Sequence, residues 1–375
     1  MKTERFAGLR DINPLCRMML CLSLASALCG SAFAMPTVNE IVAAYAEHQD
    51  HLLRFTDTYR LEETWDDPSI RHALKGSMFV QGEFAHDGAR YMQEYRFWYD
   101  PPSPTESSTN PSVHMTLWDG SAVWGFVGHV TQVRKNEPRG RLCVQPNVRS
   151  CPKFGPYYFE NPRHNITVRN YHGREAMGFL LFVVETDARR VDEVLLAAPS
   201  PSLRPNTERE GGAECYVVDA STPKGHLSVW FDPARQYNIA KAVWRYRPTA
   251  KERVQRWEET YVVHGYTEAH GLSTPKETTR ERHIEWANGE VGRRVARFRR
   301  LTFEVNPDFT AHNTFTFLGK IDDGTRVLEI GCAGPEPNTH EHLDRTVRQY
   351  ILRNGQLVLT NDYGGSKTPS LTGIP

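Results

Sequence analysis

The chain has 375 residues, 24% of them charged and 39% apolar, with Lys+Arg and Asp+Glu balanced at 45 each. That balance excludes the basic excess of a nucleic-acid binder, and the length allows one large domain or two ordinary ones. The first 34 residues hold Lys2, Arg5, Arg10 and Arg17 against Glu4 and Asp11, so the remainder is nearly neutral and no field-driven partner is implied.

Met18 to Ala34 is an apolar stretch with Arg10 and Arg17 before it and Ala32-Phe33-Ala34 at its end. A charged start, apolar middle and small-x-small finish make a secretory signal, and residues 1–34 are expected to leave by cleavage after Ala34. Ser23, Ser26 and Gly30 interrupt the apolar run, which falls short of the roughly 20 residues of a membrane span. Leu28 stands where a lipobox before Cys29 needs a small residue. No later stretch is apolar enough to cross a bilayer, so the mature protein is expected to be soluble, exported, and periplasmic or in the cell envelope. Of the cysteines, Cys143, Cys151, Cys215 and Cys332 remain after cleavage and allow three pairings in an oxidising compartment. Cys143 with Cys151 closes the shortest loop and leaves Cys215 with Cys332; four free thiols is the other reading. No C-x-x-C pair points to zinc.

Thr37-Val38-Asn39-Glu40 is a capping box, and Val38, Ile41, Val42, Tyr45, Leu52 and Leu53 follow at helical spacing. A helix over about 38–53 is expected, lying on something apolar. The period then changes to two. Phe79 to Phe84, His86-Asp87-Gly88-Ala89, and a face of Tyr91, Tyr95, Phe97 and Tyr99 read as a hairpin. Trp118-Asp119-Gly120 repeats the signal. Pro101 to Pro111 is a proline- and serine-rich loop, and Arg134 to Pro162 is a second irregular stretch. Both are taken as insertions, at about 101–112 and 134–162, in a single domain of 35–362 that ends in a flexible tail over 363–375. Met177 to Val184, with Phe179, Leu180 and Phe182, is the most apolar part of the mature chain, and Val191, Val194 and Leu195 sit at helical spacing.

From Cys215 onward strands dominate. Leu227, Val229 and Phe231 alternate with Ser228 and Trp230; Trp257, Glu259, Tyr261 and Val263 share one face; Asn288-Gly289 and Asn354-Gly355 each join two alternating runs. The expected fold is mainly β: a strongly curved antiparallel sheet, an unclosed half-barrel, with a few helices on its concave face.

Reactive constellations are sparse. His48 and His51 lie three apart on the first helix, and His340-Glu341-His342 with Asp344 groups metal-ligand types, yet each reads first as surface histidine. Gly225-His226-Leu227-Ser228 lacks the closing glycine of a nucleophile elbow and falls within a strand. In the run Arg293 to Arg300, Arg297 and Arg299 share one strand face with Val295, Leu301 and Phe303, while Arg294 and Arg300 share the other with Phe298; a solvated strand face is the first reading, with anionic head-group contact as the sharper alternative. No catalytic constellation, metal or cofactor is implied.

The succession of features resembles the periplasmic lipoprotein carriers and their LolA-like relatives. It is carried by Val38 to Leu53 running into Thr56-Asp57-Thr58-Tyr59-Arg60-Leu61-Glu62, by Leu117-Trp118-Asp119-Gly120 with Trp124, by Val229-Trp230-Phe231-Asp232-Pro233 with Ile239 to Tyr246, and by Asn306-Pro307-Asp308-Phe309. The resemblance implies a bent open sheet lidded by helices around a cavity for acyl chains, and a hydrophobic ligand, lipid or lipoprotein as partner. On that reading the lid and lining candidates are Ile41, Tyr45 and Leu52 from the first helix and Phe179, Leu180 and Phe182 from the apolar segment. The alternative is a structural or interaction protein of the envelope whose interior is filled by its own side chains.

Overall fold

The computed structural model describes residues 35–52, 54–66, 76–87, 90–100, 112–118, 122–129, 140–146, 159–160, 167–168, 182–184, 187–223, 225–248, 254–311, 314–317, 320–321, 323–331 and 346–362. Helix α1 (Val38–His51) starts at the capping box. Thr37 is extended with ψ 161°, its Oγ1 accepts from the Glu40 N–H, and the Glu40 carboxylate accepts from the Thr37 N–H at 2.7 Å. Helix α2 (Val191–Ala197) buries Val191, Val194 and Leu195, the positions given by its spacing. Arg190 fastens the two helices together by donating to Asp192 beside it and to Asp50 near the end of α1, at 2.6 Å each.

All other described regular elements, apart from one 3-10 turn (Pro233–Arg235), are strands. After α1 come β1 (Arg54–Asp66), β2 (Gly76–Asp87), β3 (Tyr91–Asp100), β4 (Ser112–Trp118), β5 (Ala122–His129) and β6 (Gly140–Pro146). Short β7 (Phe159–Glu160) pairs with β8 (Thr167–Val168), and β9 (Phe182–Val184) with β10 (Asp187–Arg189). After α2 follow β11 (Ser202–Leu203), β12 (Glu208–Glu210), β13 (Ala213–Thr222), β14 (Gly225–Asp232), β15 (Asn238–Tyr246), β16 (Val254–Ala269), β17 (Leu272–Trp286), β18 (Val291–Val305), β19 (Arg326–Gly331), β20 (Thr346–Arg353) and β21 (Gln356–Asp362).

Traced through its neighbours, the main sheet runs from β11 and β12 on β13 through β14, β15, β16, β17 and β18 to β1. It continues through β2 to β6 and then β19, β20 and β21. Every pair is antiparallel except β6 with β19. The fold is mainly β, and among the described residues the two ends of this 17-stranded sheet do not meet. β6 lies inside the stretch expected to be an irregular insertion: a single Pro146 at its end does not stop Arg141 to Val144 from pairing on both sides. The N-G turns form as expected but differ in kind. Asn354 and Gly355 both take positive φ, 51° and 74°, the I′ geometry, whereas at Asn288-Gly289 only the glycine does, at 81°.

Register places two cores on opposite faces. One face of β13–β16 presents Val218, Leu227, Val229, Phe231, Trp244 and Tyr261 to Ile41, Tyr45, Val194 and Leu195 of the helices. Through Val263↔Thr278, Thr278↔Phe298 and Phe298↔Leu61 the same face continues to β1. The second core uses the other face of β2–β4, with Ala85, Met92 and Leu117, and is covered by Phe309, Phe317 and Ile321 from the segment after β18 and by Val327, Tyr350 and Leu352. Bulges at Thr58/Tyr59, Trp230/Phe231 and Val263/Gly265 bend the ribbon between them.

Tyr59, wholly buried, lies over Gly82, its direct cross-strand partner, where a Cβ would come within 2.6 Å of the ring. Gly82→Ala is expected to lower stability by about 1–3 kcal/mol through overpacking. Gly265→Ala, with nothing within 4 Å of its added Cβ, should shift it far less. Urea unfolding midpoints of the two variants check this.

Candidate functional site

Beneath α1, Ile41 and Tyr45 are essentially inaccessible and Leu52 is buried; the Tyr45 ring meets Phe231 edge-on with centroids 5.6 Å apart. These three predicted lining residues are therefore packed against the sheet. Phe182 stands in β9 opposite Arg189, while Phe179 and Leu180 lie outside the described residues. At the far end of α1 the packing turns polar. His48, expected at the surface, is buried, and its Nε2 reaches the Ser273 carbonyl at 2.6 Å, which makes that nitrogen the donor. Asn238 donates to the same carbonyl at 2.8 Å. Burial lowers His48 from the ordinary histidine range.

At the middle of the same face Arg300 of β18 and Asp57 of β1 form an ion pair at 2.8 Å, with side chains 1% and 0% exposed. The guanidinium also donates to Thr274 Oγ1 and the Pro275 carbonyl, both at 2.6 Å, and lies 4.6 Å from the Phe303 ring centroid. Arg300 shares the face of Phe298 and lies on the opposite face from Arg297 and Arg299, as alternation predicts, but at this point that face is buried, not solvated. Arg297 pairs with Glu62, Arg299 with Glu277 and Arg293 with Glu281 on the outer face, which is a neutralised charge ladder. Desolvation outweighs the pull of Arg300 on Asp57 and raises its carboxyl to about 6.

Beyond the helices the interior ends in an aromatic and charged patch. Trp257 of β16 and Ile284 of β17 are direct partners, and Trp286 is two residues further along the same face. Trp65 of β1 reaches that face through Arg294, the partner of both Trp65 and Arg282. The Trp257 ring lies between Tyr246, centroids 5.2 Å apart, and the Arg282 guanidinium, 4.8 Å away. Glu259 accepts from Arg280 at 2.7 Å and from Arg282 at 2.8 and 2.6 Å. The two guanidinium groups overcome its burial and hold its carboxyl down at about 2. The three tryptophans are half-buried, whereas the core beneath the helices is closed. Strand alternation alone puts Trp257 and Glu259 on one face and Glu258 on the other, but it assigns the Glu259 carboxylate no partner. Its signal was the alternation Arg280, Arg282, Ile284, Trp286 on the next strand, which puts two arginines opposite it.

Other candidates resolve into structure. Cys215 is a free thiol, buried between β12 and β14, not half of the expected pair with Cys332. It points to the side of Val217 and Trp230, and burial raises it to about 12. Cys143 stands in β6; Cys151, Cys332 and the His340 cluster lie outside the described residues, as do the signal segment and the tail. Ser228 is buried and donates to Asp219 at 2.6 Å. His226 is 3.5 Å from the same carboxylate and Ser221 3.5 Å from His226, but Arg204 holds both oxygens of Asp219, at 2.7 and 2.9 Å, so the group is an ion-pair cluster on one hairpin. Among the described residues no three His, Cys, Asp or Glu side chains gather to hold a metal, and no helix is long and apolar enough to cross a membrane.

No family model matches the chain, and no curated protein does. Among solved structures it is similar to a DUF1329 family protein from Desulfovibrio piger, with 9% identity and a TM-score of 0.35 over 75% of this chain and all of that one. It is also similar to the S-type phycobiliprotein lyase CPES from Guillardia theta, with 8% identity and a TM-score of 0.19 over 71% of this chain and 99% of that one.

The two buried carboxylates titrate with opposite sign. Asp57, raised to about 6, contributes stability that is complete below its ordinary value near 4 and lost as pH rises through 6. Glu259, lowered to about 2, contributes stability that is complete above about 4.5 and lost as pH falls toward 2. Relative to Asp57→Asn, the native protein should gain about 2–3 kcal/mol between pH 7 and pH 4. Glu259→Gln should cost on the order of 3 kcal/mol at pH 7 by leaving two guanidinium groups without their anion, and less near pH 3. Guanidinium chloride unfolding of the three proteins across pH 3–7 tests both; identical pH slopes would contradict the assignment.

Proposed function

We propose that the chain is an exported, non-enzymatic protein of the LolA-like kind that shelters an acyl chain or similar apolar ligand on the inner face of its open sheet. The observation carrying this reading is the tryptophan end of the interior. Trp65, Trp257 and Trp286, with Tyr246, form an aromatic wall that the protein's own elements only half cover, next to a core that is fully packed. Burial of ligand surface there would stabilise the complex by roughly 25 cal/mol per Å² of apolar area, less the ordering cost of association. The ligand thus sits beside the helices and not beneath α1, where Ile41, Tyr45 and Leu52 already fill the space. Export and a periplasmic or envelope location follow from the signal-like segment ending at Ala34.

The same closed core favours a second reading, a structural or interaction protein of the envelope with a self-filled interior. Native mass spectrometry of Met35 to Pro375, purified without detergent from an exporting host and followed by solvent extraction, separates the two. Excess mass that extracts as acyl lipid is expected. A bare polypeptide mass that does not change on incubation with lipids would select the structural role.

A further inference from the structure

The two ends of the long sheet are finished differently. At one end the outer edge of β13 is taken by short β11 and β12, with Pro205 between them and Arg204 paired to Glu208 at 2.5 Å. Brevity, charge and proline are the usual protections of a sheet edge. At the other end, among the described residues, β21 pairs with β20 alone. Its sequence, Gln356-Leu357-Val358-Leu359-Thr360-Asn361-Asp362, has neither lysine nor proline, and its one charge stands at the last position. Val358 and Leu359 are 41% and 47% exposed.

Hydrogen bonds on β20 fix which backbone groups of β21 face outward. The Leu352 N–H donates to the Thr325 carbonyl at 3.0 Å, and the Leu352 carbonyl accepts from the Gly324 N–H at 2.7 Å. Both groups are thus turned away from Leu357, the cross-strand partner of Leu352. Because bonding direction alternates along an antiparallel ladder, Val358 bonds with Ile351, while Leu357 and Leu359 direct their N–H and C=O groups out of the sheet. Leu357 packs against the second core and Leu359, opposite Tyr350, lies on that same face; Val358 lies on the other. The run Leu357-Val358-Leu359 is the same in either direction, so a two-fold axis through Val358 matches each outward group to its complement.

We propose that β21 is a self-association edge, to which a second copy of this chain adds its own β21 antiparallel about a two-fold axis at Val358. Leu357 of each copy exchanges both backbone hydrogen bonds with Leu359 of the other, and the two Val358 side chains meet as a close, non-hydrogen-bonded pair. On the core side Leu359 comes against Leu357 of the other copy, so the second core continues from one molecule into the next. The bulge at Gln349/Tyr350 ends the regular edge near Thr360, which keeps the contact small. Charge does not oppose it. Arg353 and Asp323 lie at the turn end of the strand and Arg348 with Asp362 at the other, so the axis brings balanced groups together.

Sedimentation equilibrium of Met35 to Pro375 at about 1–200 μM should show a reversible dimer with a dissociation constant on the order of 10 μM, in keeping with an interface below standard size. Val358→Lys sets two cations against each other at the axis and should weaken the dimer about tenfold or more, with circular dichroism unchanged because the side chain is exposed. Val358→Asp should act likewise, and an equimolar mixture of the two variants should recover the association. A parent that stays monomeric across the range overturns the proposal and leaves the edge to a strand of some other protein. A Val358→Lys dimer as tight as the parent's, or a mixture that does not associate, overturns it too. If a charged variant does not fold, Val358→Cys takes its place: a cross-strand pair at the axis lies within disulfide reach, so mild oxidation should give covalent dimer well above the parent's level, and no excess over the parent is the contrary result.

Discussion

The buried contact between Asp57 and Arg300 governs how the rest of the sheet is arranged. The strand that opens the sheet in sequence, β1, is central in space and joins the meander β13–β18 to the strands that follow it. Along this seam the ladder of β18 with β17 ends at Glu277↔Arg299, and Arg300 takes over by bonding Thr274 and Pro275 through its side chain. A charge this deep is tolerated only with its counter-ion and hydrogen bonds in place, so the pair specifies register as much as it stabilises. A slip of one residue would carry Arg299 inward and Arg300 out to solvent. The bulge at Thr58/Tyr59 belongs to the same solution, because it lets Arg300 and Phe303 face the interior together while Leu301 and Thr302 remain outside.

From that seam the sheet acquires two different insides. On one face the helices close a core in which side chains leave no role for a guest; on the other, Phe309, Phe317 and Ile321 cover Met92 and Leu117. The helix-covered face runs on past the helices, and there its wall changes from aliphatic to aromatic and ionic. The charged pairs of the outer face, such as Arg297 with Glu62, are exposed and worth little individually, yet they keep both signs interspersed along the strands. The two sides of the same strands thus differ in kind, one lined by core and aromatic side chains and the other by paired charges.

Much of this was legible in residues alone, because it rests on local rules. The capping box at Thr37, the spacing of Val191, Val194 and Leu195, and the N-G turns act over three or four positions, and each appears where it was expected. The alternation of Trp257, Glu259, Tyr261 and Val263 likewise survives as one face. The candidate site was legible only in part. The aromatic strand was visible, but not the meaning of the carboxylate in it, since Glu259 is explained by two arginines that lie 21 and 23 residues away in sequence and directly beside it in the sheet.

The sequence by itself therefore determined the kind of element along most of the described chain, though not at β6, the open antiparallel class and which residues could form a face, because backbone periodicity and turn chemistry are set by near neighbours. Only the tertiary structure decided that β1 lies beside β18, that Arg300 is buried while Arg297 and Arg299 are solvated, that Ile41 and Tyr45 fill a core instead of lining a cavity, and that Trp257 and Trp286 keep N–H groups without acceptors. Each of these depends on which strand becomes the neighbour of which. Pairings between residues more than 200 positions apart, such as Asp57 with Arg300, are selected by burial and charge compensation across the whole sheet, and no local pattern encodes them.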